Sequence, residues 1–588
     1  MRGWIAVLAV GCGGRSQPAV PAAVPSVQHT QLKASAVEPV KLEPPSCAPD
    51  VPRAACEAFR AEAKTGVLSL CADAATASMT NAAAAATPIV NGLFRIGEWR
   101  YALVAPMYSP TDDVSAAAFA SMWRGDARVA LSASPETIAV LSTTLGSAHV
   151  DPITTRPAVR ARHWSIVPAD ELMPAWKIVT VGGGHPLRES TSVLDVGLCA
   201  TTTAKHVTNL DPADVTTLAM TGVTAMARYT AKLMDRKGAT YPTRDVASWF
   251  EHTDYVHISN EVSFVPDCAI SDERSQPFCS RESYIELMEA MHTNLVELDG
   301  SHLIDWGSRW LTHTIEMYEQ RGWHFFGGGR NQTEAARPLL LDDKAGTKLA
   351  LIGCNMPHST GHWIQNRPDV GYCDMARLKW QIADLRHSGY TPIVSIQHEE
   401  VYTHRPPDVV VHDFRELAAA GAAIVFGSQA HYAHPFEVVD GAFVHYGAGN
   451  LFFDQSWKGA QDATNDRFYF VRGRLLAVDH LFTRLEEAGR PRPMHDDERA
   501  GFLKVLDDEL DKLPHADPWK APHEVTSTAI PDSFIIGKQP VLIVVTLGDT
   551  VRVTLRHAVP LKQKQLVAAI TDFVAAKYAV DAKRVSVR

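Results

Sequence analysis

The stretch Ala423-Ile-Val-Phe-Gly-Ser-Gln-Ala-His431 carries the pattern that decides the fold. A short apolar run of strand type stops at a glycine, and Ser, Gln and His follow at once. Such a run reads as a strand buried on both faces. The amphipathic run Val409–Ala420 before it reads as a helix. The same unit recurs outward in both directions. Strands are predicted at Thr217–Met220, Tyr255–Ile258, Leu295–Leu298, Trp323–Phe326, Leu339–Leu341, Leu349–Ile352, Ile393–Gln397 and Phe443–Gly447. Helices are predicted at Ala225–Arg236, Tyr284–Met291, Arg309–Arg321, Met375–Ser388 and Asp496–Leu513. Regular alternation of this kind predicts an α/β fold, a layered sandwich in which helices cover sheet.

In α/β sheets the loops leaving the C-terminal strand ends gather functional residues. Here they carry Ser259, Asn260 and Glu261; Asp299, Ser301, His302 and Asp305; Gln397, His398, Glu399 and Glu400; Ser428, Gln429 and His431; and Asn450. Imidazole, carboxylate and amide oxygen together suit zinc, manganese or iron, and paired ions of that kind activate water or clamp a phosphoester. The competing reading is a polar rim of ordinary loop residues.

With 588 residues the chain exceeds one core, so several domains are expected. Its net charge of −10 and lack of a Lys/Arg block argue against nucleic-acid binding. Residues 1–12 combine one Arg, a short apolar run and small residues before Cys12, as in a lipoprotein-type signal. Lipid on Cys12 would anchor the protein outside the cytoplasm, with the Ala/Pro-rich 13–49 segment as a linker. The Ala-rich stretch 77–88 is predicted to be helical. A small α/β domain is expected over 50–205, the main unit over 210–512, and an α+β appendage over 525–588. The Gly-rich turn Val181-Gly-Gly-Gly-His185 lacks the phosphate-loop pattern and reads as a plain loop. Nine cysteines minus Cys12 leave an even set, which in an exported chain suggests disulfides. Cys268 with Cys279 and Cys354 with Cys373 are the expected pairs; Cys47, Cys56, Cys71 and Cys199 stay open.

The strand-end stretches also resemble a known family. His257-Ile-Ser-Asn-Glu-Val262, Glu297-Leu-Asp-Gly-Ser-His302 with Asp305-Trp-Gly307, and Gly327-Gly-Gly-Arg-Asn331 with Ala335-Ala-Arg-Pro338 are three of its motifs. Gln397-His-Glu-Glu-Val-Tyr402, Gly427-Ser-Gln-Ala-His431 with Glu437, and Tyr446-Gly-Ala-Gly-Asn-Leu-Phe-Phe-Asp454 complete the series in order. They resemble the bacterial capsule-synthesis CapA (poly-γ-glutamate capsule) family, which is related to calcineurin-like metallophosphoesterases. Residues 95–190, with Tyr101–Pro106, Trp123-Arg-Gly125 and Trp164–Pro168, resemble part of a periplasmic substrate-binding domain.

The resemblance implies a metallophosphoesterase-like central domain with Asn260, Glu261, His302, His398 and His431 as metal ligands, and His398 and His302 as catalytic groups. It also implies losses. Val223 stands where the family has a metal-binding Asp, Ser301 replaces an Asn, and Gln429 replaces a His. The surviving set implies one divalent ion (Mn, Fe or Zn) or none. In the metal-free case Arg228, Gln429 and Asn450 would bind an anionic ligand. Three functions are therefore carried forward: surface-polymer synthesis, export or attachment; metal-dependent phosphoester hydrolysis; and non-catalytic capture of an anionic ligand.

Overall fold

The computed structural model describes residues 43–71, 89–90, 92–155, 163–188, 192–270, 277–343, 345–356, 368–455, 457–516, 528–536, 539–548, 550–556, 563–578 and 580–587. The signal-like segment with Cys12, most of the linker and the Ala-rich stretch 77–88 lie outside the described residues.

Two sheets stack face to face in the central domain. The larger, nine-stranded sheet runs in the order His324–Phe326, Leu295–Glu297, Tyr255–Asn260, Val215–Met220, Asp462–Val471, Arg474–Glu486 and Arg490–Pro493. Val223–Thr224 extends it by bridging Tyr255–Asn260 to Asn450–Phe452. The second sheet runs Leu339–Asp342, Lys348–Asn355, Thr391–Gln397, Ile424–Gly427, Ala442–His445 and Phe436–Val439.

The period-two geometry of a strand sorts the side chains. Leu218, Leu295, Leu349, Leu351, Ile393, Ile424 and Phe426 point between the sheets into one shared core. Their sequence neighbours Val256, Ile258, Val296 and Leu298 face outward beneath the helices Ile285–Ala290 and Ser308–Glu319. On the other side Ala350, Ile352, Val394, Ile396 and Val425 face the helices Met375–His387 and Asp408–Ala419. The result is a helix–sheet–sheet–helix sandwich, the layered α/β fold that the alternation implies.

The long hairpin Asp462–Val471 with Arg474–Glu486 was not legible in the sequence. Its strands carry Asn465, Asp466, Arg467, Asp479 and His480, which break the apolar alternation. These groups are buried or nearly so, because they meet a polar part of the interior.

Residues 44–208 form two further six-stranded sheets with the helices Arg53–Glu62, Ala116–Trp123 and Pro135–Leu145. Ala102, Val104, Trp176 and Ile178 of this part pack on Tyr469, Leu476 and Ala477 of the hairpin. Tyr108 stacks on Phe436 at 4.6 Å and exchanges two hydrogen bonds with its backbone. In the Gly-rich turn the Gly183 N–H is taken by Asp113 at 2.8 Å, so the turn is tied to a carboxylate. The C-terminal part is a four-stranded sheet, Thr528–Ile536 to Val585–Val587, covered by the helix Gln563–Tyr578. The disulfides are Cys268–Cys279 and Cys354–Cys373, with Cys47–Cys56 and Cys71–Cys199 joining the other four cysteines. Among the described residues no helix is long and apolar enough to cross a membrane.

Candidate functional site

Toward the C-terminal strand ends the inward-facing side chains change from apolar to polar. Leu295 gives way to Glu297 and Asp299, Ile393 to Ser395 and Gln397, Leu351 to Asn355, and Tyr255 to His257 and Glu261, all of them buried but Tyr255. Glu297 accepts hydrogen bonds from His257 Nε2 and Ser395 Oγ, both at 2.8 Å. Burial opposes its charge, but hydrogen bonding from Asp299 and His257 holds its carboxyl down to about 2. Asp299 is the reverse case. No donor reaches either of its oxygens, and burial with the charge of Glu297 pushes its carboxyl well above the ordinary range.

Above this floor, Glu261 is held by three protein donors. Ser301 N–H and Oγ reach Oε1 at 3.0 and 2.9 Å, and Gln397 Nε2 reaches Oε2 at 2.5 Å. Gly300 permits the approach, because a Cβ there would lie 2.7 Å from Glu261 Cα. His302 donates Nδ1–H to Asp305 at 2.8 Å. Burial disfavours its imidazolium, yet the Asp305 bond and the charge of Glu261 raise it above the usual histidine value. His431 donates Nδ1–H to Asn450 Oδ1 at 2.7 Å, and its Nε2 lies 3.5 Å from Glu400. Each ring is thus anchored through Nδ1, which leaves Nε2 as the nitrogen available for proton exchange or hydrogen bonding.

Arg228 joins the two histidines into one cleft. Its guanidinium lies 5.1 Å from the Phe278 ring and 4.6 Å from Phe453. Phe278 in turn contacts His302 at 4.3 Å, and Phe453 stacks on His431 at 5.3 Å. Arg228 Nε and Nη2 both bond to Asp454, and the Tyr229 N–H adds a third bond to the same carboxylate. Arg228 also has φ +47°, a left-handed conformation at the start of the helix Arg228–Lys237, which costs roughly 1–2 kcal/mol for a side chain with Cβ. The arginine is therefore a clamped, strained pillar of the wall.

The structure brings Arg228, Glu261, His302, His431 and Asn450 together. It places Asn260 on the opposite strand face, where its amide donates to Tyr318 Oη at 2.8 Å and Val262 O at 2.9 Å. His398 turns toward the helix Asp408–Ala419: Nε2 bonds Asp413 at 2.9 Å and Nδ1 accepts the Glu399 N–H at 2.8 Å. Gln429 is buried, and its Oε1 has no partner. Sequence reasoning gave no site role to Asp454 and Phe453, which it met only as part of a motif, or to Phe278, because their roles depend on contacts between distant segments. Glu297 and His257 were within reach, since both are charged residues at inward positions of otherwise apolar strands.

This donor set does not fit a divalent metal. Both oxygens of Glu261 and both nitrogens of His398 are already engaged, and Val223 offers only an alkyl group. Among the described residues no group of three His, Cys, Asp or Glu side chains is placed to hold an ion. Carboxylates dominate the cleft: Glu261, Asp305, Glu400 and Asp454 surround one arginine and two histidines. A separate cavity of about 740 Å³ in the N-terminal part is walled by Arg53, Glu136, Asp170, Glu171, Met173 and Arg474. There too carboxylates outnumber guanidinium groups.

A two-sheet sandwich with helices outside and its polar cleft at the strand ends is metallophosphoesterase-like in class. Residues 217–455 match the family described as "Bacterial capsule synthesis protein PGA_cap". The chain is similar to "PGA biosynthesis protein CapA" of Bacillus subtilis (strain 168), with 24% identity over 262 residues, 44% of this chain and 69% of the relative. It is also similar to "Capsule biosynthesis protein CapA" of Bacillus anthracis, with 20% identity over 289 residues, 47% and 69% of the two chains. Among solved structures, an ABC-type phosphate transport receptor from Vibrio cholerae aligns at 10% identity and a TM-score of 0.18, covering 24% of this chain and 66% of that one. That likeness is too slight to define a fold.

Proposed function

We propose that this protein works outside the cytoplasm in the synthesis, export or attachment of a bacterial surface polymer of the capsule or polyglutamate type. The observation that carries the reading is the match of residues 217–455 to the capsule-synthesis family, over the segment that builds the cleft. The relatives' printed roles, PGA and capsule biosynthesis, support it. Four disulfides support an oxidising compartment, and Cys12 supplies the lipid anchor. In this reading the cleft holds a polymer chain or its acceptor through hydrogen bonds and aromatic contacts, without a divalent ion. The engaged donors of Glu261 and His398 support that over metal-dependent phosphoester hydrolysis.

The test is genetic. Deleting the gene is expected to remove cell-bound surface polymer, and the wild-type gene but not His431→Ala is expected to restore it. Retention of the polymer in the deletion strain would end the proposal. In the complemented strains Cys12→Ala is expected to move the protein from the membrane to the soluble fraction; unchanged partitioning counts against the anchor.

A further inference from the structure

The cavity of about 740 Å³ in the N-terminal part lies within the size range of small-ligand sites, roughly 300–1,000 Å³. It opens at the C-terminal ends of three parallel strands, Ala130–Ala133, Asp151–Pro152 and His163–Pro168. Ligands of open α/β sheets bind at such ends. One lining residue comes from the central domain. Arg474, the first residue of the hairpin strand Arg474–Glu486, lines the cavity and donates Nη2–H to the Asp170 carbonyl.

The charged groups of the lining are unevenly engaged. The Asp170 carboxylate accepts from Asn209 at 2.9 Å, and Glu136 accepts the Arg53 N–H. Glu171 differs. Among the described residues neither its carboxylate nor the Arg53 guanidinium makes a hydrogen bond or an ion pair, and the Arg474 guanidinium meets only the one backbone carbonyl. Burial, then the charges of Asp170 and Glu136, push the Glu171 carboxyl above its ordinary range, and Arg474 does not offset them. Burial likewise lowers Arg474, with Asp170 and Glu171 opposing. Each charged form is under-compensated: the carboxylate lacks a cation, and the guanidinium lacks an anion. Much of the remaining lining is apolar, with Ile166 and Trp176, both buried, beside Ile153 and Met173. A lone cation would meet two guanidinium groups here, and a lone anion three carboxylates. A ligand carrying both charges and an apolar body meets neither penalty.

We infer that this cavity binds a zwitterionic α-amino acid with an apolar side chain, free or as a dipeptide, its ammonium on Glu171 and its carboxylate on Arg474 and Arg53. Guanidinium–carboxylate and ammonium–carboxylate bonds are charge-assisted and fix the orientation of both ends. The side chain gains by leaving water against Ile153, Ile166, Met173 and Trp176. Because Arg474 belongs to the central hairpin, the bound ligand bridges the N-terminal part and the central domain.

The experiment is calorimetric titration of the full chain with leucine, methionine, phenylalanine and the dipeptide Leu-Leu. Beside them run N-acetyl-leucine, which lacks the ammonium, and leucinamide, which lacks the carboxylate. Binding of at least one of the first four is expected, with a rise in Tm, and both blocked analogues are expected to bind at least about tenfold more weakly. Glu171→Gln and Arg474→Gln are each expected to weaken binding at least about tenfold. Lys504→Ala, at a side chain 74% exposed and outside the lining, is expected to change nothing. Circular dichroism of each variant establishes that it is folded. Tighter binding of Leu-Leu than of leucine assigns the dipeptide, and the reverse assigns the free amino acid. Absence of binding by all four at millimolar concentration overturns the inference. So does a blocked analogue that binds as tightly as leucine, or affinity unmoved by Glu171→Gln and Arg474→Gln. The site is separate from the strand-end cleft, so its failure leaves the surface-polymer reading to the deletion strain.

Discussion

The two ends of the slot between the central sheets are filled by opposite chemistry. At the N-terminal strand ends Leu349, Leu351, Ile393 and Ile424 interdigitate as an ordinary core. At the C-terminal ends the strands of the two sheets and the loops leaving them bury His257, Glu297, Asp299, Asn355, Ser395 and Gln397. A third buried acid lies in the hairpin, where Asp466 accepts from His445 at 2.6 Å and His480 at 2.7 Å. Burial opposes its charge too, and the two histidines hold its carboxyl down to about 2. Replacing a buried ionic cluster by apolar groups of the same volume is often neutral or stabilising. The polar end is therefore not explained by stability, and it lies directly beneath the cleft.

The comparison can be broken first at Glu297. Glu297→Ala removes the acceptor of both His257 and Ser395 and is expected to destabilise by about 4 kcal/mol, because it leaves buried polar groups unpaired. Leu351→Ala, at the apolar end, is expected to cost about 3 kcal/mol through its cavity. Urea unfolding measures both. A Glu297→Ala cost well under that of Leu351→Ala would mean that the polar end is hydrated and loosely held.

A smaller effect separates Asp299 from Glu297 by pH. Asp299 has a raised folded-state value, so its contribution favours folding fully below the ordinary Asp range and is lost as pH rises toward that raised value. Glu297 has a lowered value, and its contribution is present above the ordinary Glu range and lost as pH falls toward about 2. Above pH of about 4, and until the raised value is reached, the Asp299 contribution is expected to decline by up to about 1.4 kcal/mol per pH unit. Asp299→Asn should flatten that decline while leaving the acid limb in place. An unchanged slope would show that Asp299 is ionised in the folded protein.

The apolar end was legible in the sequence and the polar end only in part. Runs such as Ala423–Phe426 and Ile393–Ile396 announce buried strands because strand burial on two faces demands continuous apolar sequence. The loop residues after them were legible because function gathers at strand ends. The partners of those residues were not. Periodicity does not show that Asp413 would take the Nε2 of His398, that Gln397 and Ser301 would fill the lone pairs of Glu261, or that Asp454 would clamp Arg228. Each pairing joins segments far apart in the chain. The unread hairpin Asp462–Glu486 has the same cause, since its polar residues make sense only against His445 and the polar interior.

The central proposal, that the cleft works through protein hydrogen bonds in place of a divalent ion, is tested most directly by metal analysis of the purified, tag-free protein. The account expects far less than one equivalent of manganese, iron or zinc, with no calorimetric heat on adding any of them. About one equivalent per chain, lost on His302→Ala or His431→Ala, would contradict it.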